Sequence, residues 1–246
     1  MRDNDFERGI WHPNESDYAT MLDRLEKLFP KNYRAGNILL LNADCMEVMK
    51  HIKDNEFELS CVDPPYGINV NVSMGRRKGM KHSGFHKFAG GDIEPPNEEY
   101  FKELNRVSKD QIIWGANHFI SKLPQPANSP CWIMWDKGHS EEVTFAQFEM
   151  AWTSFNSSCK KYDRAVQADR NRIHPTQKPV KLYDWLLKNY AKEGDKILDT
   201  HGGSMSSAIA AHYFGCEFVG IEIDEDYFNA ALSRIIEQTK QMDLLA

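Results

Sequence analysis

Residues 38–66 read ILLLNADCMEVMKHIKDNEFELSCVDPPY. The apolar run Ile38 to Leu41 predicts a short buried strand. Asn42-Ala43-Asp44 leads from it into a helix near 45–52, and Phe57 to Val62 is a second strand. Strand, crossover helix and strand form the unit of a parallel sheet, because parallel neighbours cannot be joined by a tight hairpin. The same alternation continues outward. Upstream, Tyr18, Met21, Leu22, Leu25, Leu28 and Phe29 recur at helical spacing over 17–29, with Ser16 as the expected cap and Pro30 as the stop. Downstream, a helix is expected near 97–107 and strands at 112–114, 131–135 and about 146–153. A helix from Pro179 to about Tyr190, a strand at 196–199, a helix near 206–213, a strand at 218–223 and an acid-led helix near 225–238 complete the series. The expected architecture is α/β: a Rossmann-like open, mostly parallel sheet of five to seven strands with helices on both faces.

A chain of 246 residues can bury one good core. We divide it into an N-terminal helical extension (1–35), one domain (36–236) and a tail (237–246). Two stretches, 67–96 and 156–173, lose the apolar pattern and read as loops. A hydrophobic share of 41% with 27% charged residues suits a folded globular chain. No run approaches eighteen apolar residues, and MRDNDFERGIW at the amino end lacks the apolar core of a signal peptide. Five cysteines lie far apart, at 45, 61, 131, 159 and 216, with no CxxC spacing. A reducing cytoplasm is the expected setting, with no membrane partner. The net charge of -6 conceals two basic segments. Residues 69–91 carry +5, from Arg76, Arg77, Lys78, Lys81 and Lys87; residues 156–181 carry another +5. Local fields rather than the total steer a polyanion.

The tetrad Asp63-Pro64-Pro65-Tyr66 sets a carboxylate, two rigid imino acids and an aromatic ring at the end of a strand. A planar base with an exocyclic amine needs a face to stack on and oxygens for its hydrogens. Tyr66 offers the face; Asp63 and the Pro64 carbonyl offer the oxygens. Asp44, Asp199 and Glu222 also end or follow apolar strands, so all four carboxylates belong on one rim, where such sheets bind ligands. Gly202-Gly203-Ser204 allows close backbone approach. Glu222 follows Asp199 by 23 residues, a spacing that suits a carboxylate accepting from ribose hydroxyls. The turn THGGSMS is not GxGxxG, which favours S-adenosylmethionine over a dinucleotide.

With NADCMEVM at 42–49, DPPYG at 63–67, HPTQKP at 174–179, LDTHGGS at 198–204 and GIEIDEDYF at 220–228, residues 36–236 resemble the S-adenosylmethionine-dependent DNA amino-methyltransferases. The match is to the permuted beta order, in its adenine N6 branch. The resemblance implies methyl transfer to adenine N6 of a flipped base in double-stranded DNA, for restriction–modification or epigenetic marking. It implies that Asp63, Pro64, Pro65 and Tyr66 receive the target base. It places Asp44 and Cys45 beside the cofactor adenine, and Asp63, Asp199, His201, Gly202, Gly203, Ser204 and Glu222 around the cofactor. Thr176, Gln177 and Lys178 are placed near its methionine carboxylate. The chemistry needs no metal and no cysteine nucleophile. Arg76, Arg77, Lys78, Lys81, Arg164, Arg170 and Arg172 are the expected DNA contacts. The recognition stretch 156–173 is short, which suggests a homodimer. The family's commoner loop has a second glycine where this chain has Met205. Cytosine N4 as the target, and a non-catalytic DNA-binding regulator, remain the alternatives.

Overall fold

The computed structural model describes residues 20–68, 94–138, 146–165, 172–174 and 176–240. Its first half contains α1 (Met21–Leu28), β1 (Asn32–Ala35), β2 (Ile38–Asn42), α2 (Cys45–Met49), β3 (Phe57–Val62), α3 (Glu98–Val107) and β4 (Ser108–Trp114). Then come β5 (Trp132–Asp136), β6 (Phe148–Thr153), β7 (Lys160–Asp163), α4 (Val180–Tyr190), β8 (Lys196–Asp199), α5 (Ser206–Phe214), β9 (Glu217–Glu222) and α6 (Glu225–Lys240). The described strands form one sheet in the order β1-β2-β9-β8-β3-β4-β6-β5-β7. The run β2-β9-β8-β3-β4 is parallel; β1 and β6 join it antiparallel, β5 pairs antiparallel with β6, and β7 parallel with β5. This is a Rossmann-like open α/β sheet whose parallel centre is flanked by antiparallel strands.

The central strands are apolar on both faces because helices cover both. On β2, Ile38 and Leu40 enter one core with α4, α5 and α6; Leu39 and Leu41 enter the other with α1, α2 and α3. β3 and β4 divide in the same way, Cys61 and Trp114 on one side, Val62 and Ile113 on the other. Leu40 is fully buried. Leu40→Ala is expected to cost about 2–5 kcal/mol, read as a lowered urea midpoint at unchanged slope.

Three details differ from expectation. The helix cap is Thr20, whose Oγ1 accepts from the Asp23 amide at 3.1 Å, and not Ser16, which lies outside the described residues. β1 and β7 raise the strand count among the described residues to nine. Both are four-residue edge strands, NYRA and KKYD, too short and polar to show an alternating pattern. β4 begins at Ser108 because its polar first half pairs with β3. Helix α1 packs Met21, Leu22 and Leu25 into the core that Leu39 and Leu41 enter, and β1 pairs with β2. Among the described residues no helix is long and apolar enough to cross a membrane, and no cluster of three His, Cys, Asp or Glu could hold a metal. All five cysteines are free thiols.

Candidate active site

Parallel strands bring their carboxyl ends to one rim, and the register aligns them there: Asn42 lies beside Glu222, Gly220 beside Asp199, and Val62 beside Ile113. Two groups of side chains occupy that rim.

The first surrounds the turn between β8 and α5. Asp199 is buried, accepting from the His201 amide at 3.1 Å and from Ser207 Oγ at 2.6 Å. Burial pushes its carboxyl up to about 7, against those two hydrogen bonds. Glu222 accepts from the Gly203 amide at 2.7 Å and the Asp224 amide at 2.8 Å, which ties the end of β9 to the turn. Burial raises its carboxyl as well. Asp44 caps α2, accepting from the Met46 amide at 2.7 Å. Burial, and then the charge of Asp44, push the Cys45 thiol up to about 12, which makes it an inert wall and not a nucleophile. Ser204 is buried, its carbonyl accepting from Arg234 Nη1 at 2.7 Å.

Met205 stands at the position of the missing glycine, with φ 52°, the left-handed conformation that costs a side-chain-bearing residue about 1–2 kcal/mol. Its thioether is fully buried where two other glycines leave room. A β-carbon on Gly202 would lie 2.3 Å from its Sδ, and one on Gly220 2.7 Å away. The loop thus keeps a left-handed residue at 205 and moves the steric demand to 202 and 220.

The HPTQKP segment folds over this turn. A β-carbon on Gly203 would lie 3.6 Å from His174 Nε2. Gln177 closes the segment on itself, accepting from the Ile173 amide at 3.0 Å, and the exposed Thr176 hydroxyl meets His174 Nδ1 at 3.1 Å. Burial, with Arg172 and Lys178 nearby, lowers His174 to about 4; burial alone lowers His201 to about 4. Both imidazoles are therefore neutral at pH 7.

The second group surrounds the tetrad. Tyr66 Oη donates to Asp63 Oδ1 at 2.6 Å, and Lys178 Nζ meets Asp63 Oδ2 at 2.5 Å and donates to Tyr66 Oη at 3.2 Å. Lys178 also pairs with Glu149 Oε2 at 3.0 Å, and Lys137 pairs with the other oxygen of Glu149. The Lys178 side chain is 2% exposed and lies 5.1 Å from the Trp114 ring. Lys178 thus contacts Asp63, Glu149 and Tyr66, while its sequence neighbours Thr176 and Gln177 bond within the segment over the turn. Burial raises the Asp63 carboxyl, with Lys178 working against it. Burial also opposes the Glu149 charge, but Lys178 and Lys137 outweigh it and bring that carboxyl down to about 2.

Tyr66 stacks on His118, ring centroids 5.4 Å apart and 17° from parallel. Gly115, with φ +70°, passes directly behind it; a β-carbon there would lie 2.1 Å from Tyr66 Cε1. Lys137, Glu149, Gly115 and His118 escaped the sequence reading. The turn 115–118 follows β4, so the carboxyl-end rule could have found it. Glu149 could not be found that way: β6 runs antiparallel, so its beginning, not its end, reaches the rim. Arg164 follows β7, its carbonyl accepting from Trp135 Nε1 at 2.9 Å, and Arg172 precedes the HPTQKP segment. Arg76, Arg77, Lys78, Lys81 and Arg170 lie outside the described residues.

Residues 134–233 match the family described as DNA methylase. The fold is similar to that of solved DNA methyltransferases. The type II methyltransferase M2.MboI of Moraxella bovis is 22% identical, over 82% of this chain and 89% of its own. Among solved structures, the PvuII DNA methyltransferase, described as cytosine-N4-specific, aligns with TM-score 0.58 at 11% identity, over 87% of this chain and 95% of that one. The M1.HpyAVI–SAM complex aligns with TM-score 0.53 at 16% identity, over 80% and 99%. At these identities the structural likeness is one of fold.

Proposed function

We propose that this chain transfers a methyl group from S-adenosylmethionine to the N6 amine of an adenine turned out of double-stranded DNA. One juxtaposition carries the reading. The tetrad ends β3, and the turn closed by Glu222 follows β8, its immediate neighbour in the sheet. The proposed amine acceptor and the proposed adenosine site are therefore neighbours at one rim. The bonded pair Gly203–Glu222 and the cap Asp44 suit an adenosine: backbone close at hand, and carboxylate lone pairs to spare for hydroxyls.

S-adenosylmethionine, when bound, supplies a methyl group already made electrophilic by its sulfonium. The exocyclic amine of the target is a poor nucleophile because its lone pair is delocalised into the ring. Asp63 and the Pro64 carbonyl accept its two hydrogens and favour a pyramidal nitrogen, which frees that pair. The surplus proton leaves through Asp63 or to solvent. Tyr66 takes the flipped base by stacking, which offsets part of the few kcal/mol that unstacking costs. Arg164 and Arg172, together with the basic segment 69–91, are assigned to DNA contact, at phosphates or base edges.

Aspartate at the head of the tetrad favours adenine by family habit. Two acceptors fit the N4 amine of cytosine equally, and the likeness of fold to a cytosine-N4-specific enzyme makes that the second reading. Incubation with unmethylated genomic DNA and methyl-tritiated S-adenosylmethionine, followed by nucleoside separation, tests both. Label in N6-methyladenine is expected; label in N4-methylcytosine selects the second reading, and unlabelled DNA removes both. Glu222→Gln is expected to weaken S-adenosylmethionine about 10- to 100-fold by calorimetry, the worth of hydrogen bonds to a charged acceptor. An unchanged Kd would take Glu222 out of the cofactor site.

A further inference from the structure

The row Lys137–Glu149–Lys178–Asp63 alternates in sign and sums to zero charge. Two of its members, Lys137 and Glu149, belong to no motif of the chain; they reach the rim from the end of β5 and the beginning of β6. Lys178 touches both carboxylates at once and is almost wholly buried. A carboxylate removed from water keeps its charge only when it is paired, and a carboxylate that has taken up a proton has one oxygen fewer to offer an amine.

Resting on the methyl transfer proposed above, we propose that Glu149 and Lys137 are positioning residues for that reaction: they hold the Lys178 ammonium at Asp63, so that Asp63 stays an acceptor for the target amine. In this structure both Asp63 oxygens are engaged, Oδ1 by Tyr66 and Oδ2 by Lys178. An incoming amine displaces one of those donors. Glu149 then keeps the ammonium in place, since Lys178 has a second carboxylate to rest on. The direction of each charge effect follows. Removing Lys178 or Lys137 leaves the row negative and raises the proton affinity of Asp63. Removing the Glu149 charge leaves the row positive and lowers it. The other titratable groups acting on Asp63 are Tyr66, Tyr183, Cys61 and Asp199. Burial holds Tyr66, Tyr183 and Cys61 neutral, and Asp199 is common to every variant, so none of these alters the differences.

The test is the acid limb of kcat/KM for tritiated methyl transfer to unmethylated genomic DNA, from pH ~5 to ~9. Lys178→Met should move the limb up by about 1–3 pH units, the usual effect of an adjacent opposite charge. Lys137→Met, one step further out, should move it up by less. Glu149→Gln should move it down. A purely structural role would lower activity without opposed shifts. If Lys178→Met and Glu149→Gln do not fold, Lys137→Met, at the end of the row farthest from Asp63, decides alone. An active wild type whose variants share its limb overturns this proposal only; a wild type that transfers no methyl overturns the proposed function and this inference with it.

Discussion

Asp63→Asn is expected to lower kcat for methyl transfer by about 10²–10³-fold, the range seen when one preorganised transition-state hydrogen bond is removed, while S-adenosylmethionine is still bound. The substitution keeps the shape of the side chain and removes its charge. An amide in that place has one acceptor oxygen and turns a donor toward Tyr66 or Lys178, both of which already donate there. Lys178 keeps Glu149 as a partner, so the ammonium is not stranded and the fold should survive with a moderate loss of stability. Single-turnover kinetics separate the chemical step from binding. A variant that transfers methyl at the wild-type rate would mean that Asp63 does not receive the amine.

Gly115→Ala should cost transfer about 10²-fold, the effect of misplacing a positioned group by roughly an ångström. The added carbon would lie 2.1 Å from the Tyr66 ring, so Tyr66 must leave its place against His118. Left-handed backbone adds a stability loss of about 1–2 kcal/mol. Gly36→Ala is the matched control. Gly36 has φ +56° with nothing within 4 Å of a β-carbon, so its substitution carries the same backbone strain without displacing Tyr66. Equal loss of activity in the two variants would show that strain, and not the position of Tyr66, accounts for the effect.

The parallel centre of the sheet was legible because each strand is an unbroken apolar run, Ile38 to Leu41 or Phe57 to Val62, bounded by turn residues. Its consequence was legible too. Parallel strands end together, so Asp44, Asp63, Asp199 and Glu222 could be assigned to one rim from sequence, and the register puts them there. Edges were not legible: NYRA and KKYD are half-buried or exposed and owe their strand geometry to the neighbour each pairs with. The inner wall of the site was lost for a related reason. Glu149 reaches the rim at the start of an antiparallel strand, and Lys137 lies just past the end of β5, behind it. Neither position has a local sequence signature, since what makes them matter is Lys178, 29 residues beyond Glu149 and 41 beyond Lys137. Met205 was visible as a departure from a glycine pattern, but its compensation by Gly202 and Gly220 depends on a packing contact across β9.

The central claim is that the target amine meets oxygens from positions 63 and 64 next to the Glu222-closed crevice. A crystal structure with sinefungin and a duplex carrying the methylated motif's unmodified base tests it most directly. The account predicts an extruded adenine whose N6 lies within hydrogen-bonding distance of Asp63 and the Pro64 carbonyl, with Tyr66 released from Asp63 and the inhibitor's ribose on Glu222. An extruded base held elsewhere, with Tyr66 and Lys178 still closed on Asp63, would contradict it.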